Sequence, residues 1–243
     1  QFLRHATRIL TDVSDAKRTL ADEPGAKAGK LSLGVTSLVA GYVLSDVLSR
    51  YRRAYPETQV SAIEDNGDYL EHLLIGGELD VAVMVTSNLR DRMALQAEIL
   101  EISPYRLWLP LSHRLSSADS IAMADIAEEP LIMLTVDEIE ENTGKLLMAL
   151  GARPHVAFRT RSVEAVRSLV ATGAGVALLP DLVYRPWSLE GDRTASRDVS
   201  GQRPAVQVGI VWRKGSGLPE TARDFIKVAQ LHRGGRGRTE RSA

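Results

Sequence analysis

The side chains best suited to hold a small polar molecule stand where apolar runs give way to helical patterns. Thr36-Ser37, with Leu38 beside them, follow the run Leu31-Ser32-Leu33-Gly34-Val35. Asn66-Gly67-Asp68 precede the helical pattern of Tyr69, Leu70, Leu73 and Leu74. Thr135-Val136-Asp137 follow an apolar run that starts at Leu131, and Thr160-Arg161-Ser162, with Val163, follow one that starts at Val156. At such junctions the first N–H groups of a helix lack partners and the helix dipole is positive, so a carboxylate or phosphate finds donors there. The same Thr, Ser and Asn side chains are also ordinary helix caps. For Thr36 and Ser37 both readings stand. Ser162 reads as a cap, and Asp68 reads as the cap of its helix, which leaves Asn66 and Gly67 to face a ligand. Arg161 is either an exposed arginine or the partner of an anion.

No catalytic or metal centre is legible. His5, His72, His113, His155 and His232 show no metal-ligand spacing. No serine sits in a Gly-x-Ser-x-Gly elbow. Gly173-Ala174-Gly175-Val176 ends a helical pattern and opens a strand, the reverse of a dinucleotide-binding loop. Asp137, Glu138, Glu140 and Glu141 read as the solvated first turns of a helix, where acids suit the dipole. His113 reads as a structural hydrogen-bonding group. The chain has no cysteine, which removes thiolate nucleophiles, cysteine-ligated metals and disulfides. The expectation is a binding protein with no catalytic residues, no metal and no cofactor other than a small-molecule ligand of unknown identity.

The elements that must position the candidate residues repeat. Leu31–Val35, a helical stretch from Leu38 to Tyr51, Val60–Ile63, a helix ended by Gly76-Gly77, and Val81–Val85 read as βαβαβ. Leu131–Leu134, a helix from Asp137 to Leu150, Val156–Phe158, a helix from Ser162 to Ala171, and Val176–Leu179 read the same way. Parallel strands joined by right-handed crossovers give open α/β sheets with helices on both faces. Tyr105–Leu111 and Val206–Trp212 are the remaining strands, and a helix from Pro219 to about Leu231 follows. The expected architecture is two-lobed: residues 29–106 form the first lobe, 107–207 the second, and 208–233 return to the first. Two crossing strands join the lobes, and the ligand sits in the cleft, with the Ser37 and Arg161-Ser162 turns facing each other across it.

Residues 1–24 read differently. Phe2, Ala6, Ile9, Val13, Ala16 and Leu20 alternate steps of four and three, the seam of a heptad. So narrow a stripe suits a second helix better than a broad core. Residues 234–243, with Arg236, Arg238 and Arg241 among glycines, read as a basic flexible tail. The net charge of −1 gives the chain no general attraction for nucleic acid. There is no apolar run of membrane-spanning length and no signal-peptide core, so a cytoplasmic location is expected. The chain begins at Gln1, which suggests that a segment once preceded it.

Together these pieces resemble the LysR-type transcriptional regulators from Phe2 to about Leu231. The resemblance rests on Gly29-Lys30-Leu31-Ser32-Leu33-Gly34-Val35, on Tyr55-Pro56, on Gly77-Glu78-Leu79-Asp80-Val81-Ala82-Val83, and on Leu169 through Pro180. His113-Arg114-Leu115 is similar to the family's His-Pro-Leu element, and Val211-Trp212-Arg213-Lys214 to its returning strand. The resemblance implies a periplasmic-binding-protein-like (type 2) fold preceded by a long linker helix. It implies a homodimer or homotetramer, with promoter DNA reached only through a winged helix-turn-helix domain not contained in these residues. It implies a small effector, often an organic anion, held at positions matching Thr36, Ser37, Thr135 and Arg161-Ser162-Val163. Val39-Ala40 replaces a proline common at the start of the first helix, and Gly67 stands where many members carry Ser or Thr. The rival reading is a solute-binding protein of a transport system, which shares the two-lobed architecture but gives no reason for the heptad.

Overall fold

The structure is a computed structural model that describes residues 29–149, 151, 155–200, 204–215 and 217–239. The pairing helix expected over 1–24 lies outside the described residues, as do 240–243 of the tail. The chain divides into two compact units. Unit 1 holds the residues through Glu101 and those from Gln207 onward, and unit 2 holds Ile102–Val206.

In unit 1, strands β1 (Lys30–Val35), β2 (Gln59–Glu64) and β3 (Val81–Val85) are parallel, in the order β2-β1-β3. The first helix, α1 (37–54), is an α-turn Ser37–Val39, a π-helical segment Ala40–Leu44 and an α-helix Ser45–Ala54. Its apolar side, Val43, Val47 and Tyr51, is fully buried. Helix α2 (Gly67–Gly76) ends where Gly77 adopts φ 78°, a left-handed cap that costs a glycine little. It packs closely on β1, because a Cβ added at Gly34 would come within 2.7 Å of Leu79 and 2.9 Å of Leu70. Leu70, Leu73, Leu74, Leu79, Ala82 and Met84 form the core on that side. Asp80, in the Gly-Glu-Leu-Asp run, accepts the Ser32 N–H at 2.8 Å and so ties the start of β3 to β1.

Both passages between the units lie within long strands. β4 (Leu95–Pro110) starts ten residues before the expected crossing strand at Tyr105 and contains the Glu101–Ile102 boundary. β10 (Ala205–Arg213) contains the Val206–Gln207 boundary and pairs antiparallel with β3 in unit 1.

Unit 2 adds β5 (Ser120–Ile121), α3 (Met123–Ile126), β6 (Leu131–Leu134), α4 (Ile139–Ala149), β7 (Val156–Thr160), α5 (Val163–Ala171), β8 (Ala177–Pro180) and β9 (Thr194–Val199). β4 lies between β8 and β9, antiparallel to both, while β6 and β7 pair in parallel. β5, α3 and β9 were not foreseen. β9 has the sequence Thr-Ala-Ser-Arg-Asp-Val, whose alternate face is polar, so it lacks the period-two apolar signal of a strand.

Three further expectations are corrected. Asp137 and Glu138 do not open α4; they precede it, with φ 48° and 58°, in the left-handed region that side chains with a Cβ rarely adopt. The cap of α2 is Asn66 rather than Asp68. Asn66 has the extended backbone a cap needs, whereas Asp68 lies in the first turn and pairs with Arg90 at 2.9 Å. The last helix, α6 (Glu220–Thr239), runs past Leu231, where it was expected to end. Once Ala222, Phe225 and Ala229 bury its first turns, each further residue adds a hydrogen bond, and a glycine, at about 1 kcal/mol, weakens the helix without ending it. Tyr51 of α1 anchors α6: its hydroxyl donates to the Thr221 carbonyl at 3.0 Å and its ring meets Phe225 edge-on at 5.2 Å.

Candidate functional site

Within each unit the structure brings the expected turns together at one end of the parallel strands. In unit 1, Asp65 after β2 donates its N–H to Val35 at the end of β1, at 3.1 Å, so the Thr36-Ser37 and Asn66-Gly67 turns are neighbours. The four side chains differ in what they do. Thr36 is fully buried, with an extended backbone at the start of α1, yet its hydroxyl caps nothing and has no hydrogen-bond partner among the described residues. Ser37 donates its hydroxyl to Glu64 Oε1 at 2.6 Å. Asn66 accepts the Tyr69 N–H at 3.0 Å and donates to Asp65 at 2.8 Å, so both ends of its amide are engaged. Gly67 is buried, and Leu38 is 2% exposed.

In unit 2, Thr135 meets Thr160 twice. Its N–H donates to the Thr160 carbonyl at 2.9 Å and its hydroxyl donates to the same oxygen at 3.2 Å. The Thr160 hydroxyl in turn accepts the Ser162 N–H at 3.1 Å. Ser162 caps α5 by accepting the Ala165 N–H at 3.1 Å. Arg161 is exposed and, among the described residues, its guanidinium has no ion-pair partner. Val136 is buried and Val163 half-buried.

The sequence reading missed two groups here. Glu64, at the end of an otherwise exposed strand, places a carboxylate on the Ser37 hydroxyl, so an anion at Ser37 would have to displace it. Tyr105, on β4, buries its hydroxyl near Thr143 and Asn142 at the start of α4, where it makes no hydrogen bond within normal geometry among the described residues. Burial pushes its pKa up from 10.0 to about 12, against a lowering contribution from those two side chains, so it remains a neutral donor. No spacing rule could have found either, because each contact joins separate elements.

Of the acids ahead of and within α4, Glu140 and Glu141 are solvent-exposed, and each also has a basic partner. Glu140 pairs with Arg159 at 3.1 Å and Glu141 with Lys145 at 2.5 Å. His113 has a structural place: its Nδ1 accepts the Leu115 N–H at 3.2 Å and its Nε2 lies 3.2 Å from Glu129. Among the described residues no group of three or more His, Cys, Asp or Glu is arranged to hold a metal, and no helix is long and apolar enough to cross a membrane. A groove of about 260 Å³ beside β2, lined by Ser32, Ser61, Ile63, Tyr69 and Glu78, contains none of the candidate residues.

Comparison with known proteins places this geometry. The family described as the LysR substrate binding domain matches residues 24–233. A hydrogen peroxide-inducible genes activator of Dickeya chrysanthemi is 26% identical over 236 residues, which are 95% of this chain and 76% of that protein. The C-terminal domain of a probable LysR family transcriptional regulator from Rhodococcus sp. RHA1 superposes with a TM-score of 0.77 at 28% identity, covering 83% of this chain and 98% of that one. The effector binding domain of QuiR in complex with shikimate shares the fold, with a TM-score of 0.70 at 14% identity, covering 86% of this chain and 98% of that one. The family match decides against the transport reading, and with two α/β units joined through two long strands, the chain belongs to the LysR family as its effector-binding domain.

Proposed function

We propose that this domain senses a small organic acid through Thr36, Ser37, Leu38, Asn66 and Gly67 of unit 1 and Thr135, Val136, Arg161, Ser162 and Val163 of unit 2, and that it regulates transcription without catalysing a reaction. The observation that carries the reading is the Thr36 hydroxyl, fully buried at a strand-to-helix turn and without a partner among the described residues. Buried hydroxyls are nearly always hydrogen-bonded, so one left over at a ligand-binding edge of an α/β sheet is best explained by a bond to the effector. Arg161 supplies the charge for an acid. Ser37 has a smaller role than Thr36, because its proton is already donated to Glu64.

The name of the Dickeya protein does not carry peroxide sensing over to this chain. A thiol-to-disulfide step needs cysteine, and the 243 residues contain none. A reversibly bound acid is the signal proposed instead. The heptad over residues 2–20 supports pairing of two chains into a homodimer, with DNA contacted through a domain outside this sequence.

The test is a thermal-shift screen of small organic acids, shikimate included, followed by calorimetric titration of the best binder. Thr36→Val and Arg161→Ala should each weaken binding by about 1–3 kcal/mol. Unchanged affinity in both variants, or a screen in which no acid raises Tm, would sink the assignment. Sedimentation at rising concentration should show a dimer, and a strictly constant monomer mass would remove the pairing role.

A further inference from the structure

We propose that Trp108, Thr194 and Ser196 line one buried polar site in unit 2 that holds a single small hydrogen-bond acceptor, a water oxygen or a halide ion. This goes beyond the effector reading and does not depend on it. Trp108 of β4 stands directly opposite Ser196 of β9, and Thr194 is opposite Pro110 in the same antiparallel register. Opposed residues share a face of the sheet and alternate residues return to it, so the Trp108, Ser196 and Thr194 side chains lie on one face. All three are buried, at 0%, 8% and 1% exposure. Trp108 Nε1, Ser196 Oγ and Thr194 Oγ1 are each without a hydrogen-bond partner among the described residues.

Three orphaned groups on one small patch of sheet are unusual, since buried polar atoms are almost always satisfied. The indole N–H can only donate, whereas the two hydroxyls can donate or accept. What they share is therefore an acceptor, and one atom meeting two or three of them has the coordination of an internal water. Two groups border the patch. The Arg167 guanidinium, paired with Glu164 and donating to the Val183 carbonyl at 3.1 Å, lies 5.7 Å from the centre of the Trp108 ring. The Tyr184 ring meets Trp108 edge-on at 5.5 Å, and its hydroxyl donates to the Thr194 carbonyl at 2.8 Å. The Arg167–Glu164 pair carries no net charge, so water is the first candidate and a halide the alternative that the soak distinguishes. Such an acceptor accounts for the polar face of β9 and ties it to β4, next to the helix α5 that carries Ser162 at its start.

Crystals of the chain, native and soaked in bromide, test this. A single density peak within hydrogen-bonding distance of at least two of the three atoms is expected. An anomalous bromide signal at that peak assigns a halide, and a peak without it assigns water. The absence of a peak, or the three groups bonded to other protein atoms, would overturn the proposal. Thermal unfolding gives an independent sign. If an acceptor bridges the groups, Ser196→Ala and Thr194→Val each lower Tm by several degrees; if the hydroxyls are truly orphaned, removing them raises Tm and the proposal fails.

Discussion

The two units solve one problem, how to start a helix after a parallel strand, in ways that differ at the first turn and agree at the second. At the second turn each uses a side-chain cap, Asn66 for α2 and Ser162 for α5. At the first turn, unit 1 leaves Thr36 buried and unpartnered, whereas unit 2 ties Thr135 to Thr160 and enters α4 through two left-handed residues. A hydroxyl that caps its own helix is engaged before any ligand arrives. A hydroxyl that caps nothing is available, and the cost of burying it is borne by the empty domain. Under the proposed function, Asn66 and Ser162 serve first as helix caps, and Thr36 is the turn hydroxyl left for the effector.

The tyrosines offer the largest expected effect. Tyr105 of unit 2 is raised to about 12, mainly by burial, and Tyr51 of unit 1 is raised in the same direction, also mainly by burial. A folded pKa above the unfolded 10.0 gives stability that is complete below about pH 10 and is lost as pH rises toward 12, because only the unfolded chain ionises in that window. For Tyr105 the loss is about 2–3 kcal/mol, at 1.36 kcal/mol per pKa unit. Unfolding by urea at stepped pH should show it, and Tyr105→Phe should flatten the alkaline fall. An unchanged profile in that variant would assign the loss elsewhere.

The caps come next. Asn66→Ala and Ser162→Ala should each cost about 1 kcal/mol in urea unfolding, through loss of the side-chain acceptor for Tyr69 and Ala165. Thr36→Val should do the opposite, raising the stability of the ligand-free domain by up to about 1 kcal/mol while it weakens acid binding, since it replaces an unsatisfied buried hydroxyl by a methyl. If Thr36→Val destabilised the empty domain as much as the two cap variants do, the contrast between the turns would disappear. The smallest effects belong to the exposed i,i+4 pairs, Asp46–Arg50 in unit 1 and Glu141–Lys145 in unit 2. Arg50→Ala and Lys145→Ala should each shift stability by only about 0.3 kcal/mol, and less at high salt.

Much of this was legible in the residues. Val81–Val85 reads as a strand buried on both faces, and all five residues are buried. Ser162 reads as a cap and is one. Gly76-Gly77 reads as a helix stop, and Gly77 supplies the left-handed turn. Elsewhere local pattern pointed the wrong way. Asp68 is as good a cap residue as Asn66, and only the backbone conformation at Asn66 decides between them. Asp137 and Glu138 look like acids favoring a helix dipole, yet the turn from β6 forces both to positive φ. β9 is hidden because Thr194, Ser196 and Asp198 make its alternate face polar, which removes the period-two apolar signal.

By itself, then, the sequence determined the order of strands and helices in the two βαβαβ runs, the positions of their turns and the absence of thiol chemistry in these residues, because periodicity, glycine stops and composition are local properties. Which turn hydroxyl is available to a ligand was decided only by the tertiary structure. Glu64 reaches Ser37 from 27 residues away and Thr160 reaches Thr135 from 25, while nothing described reaches Thr36. Whether a polar atom is satisfied depends on neighbours that only the folded chain supplies, and no window along the sequence contains them.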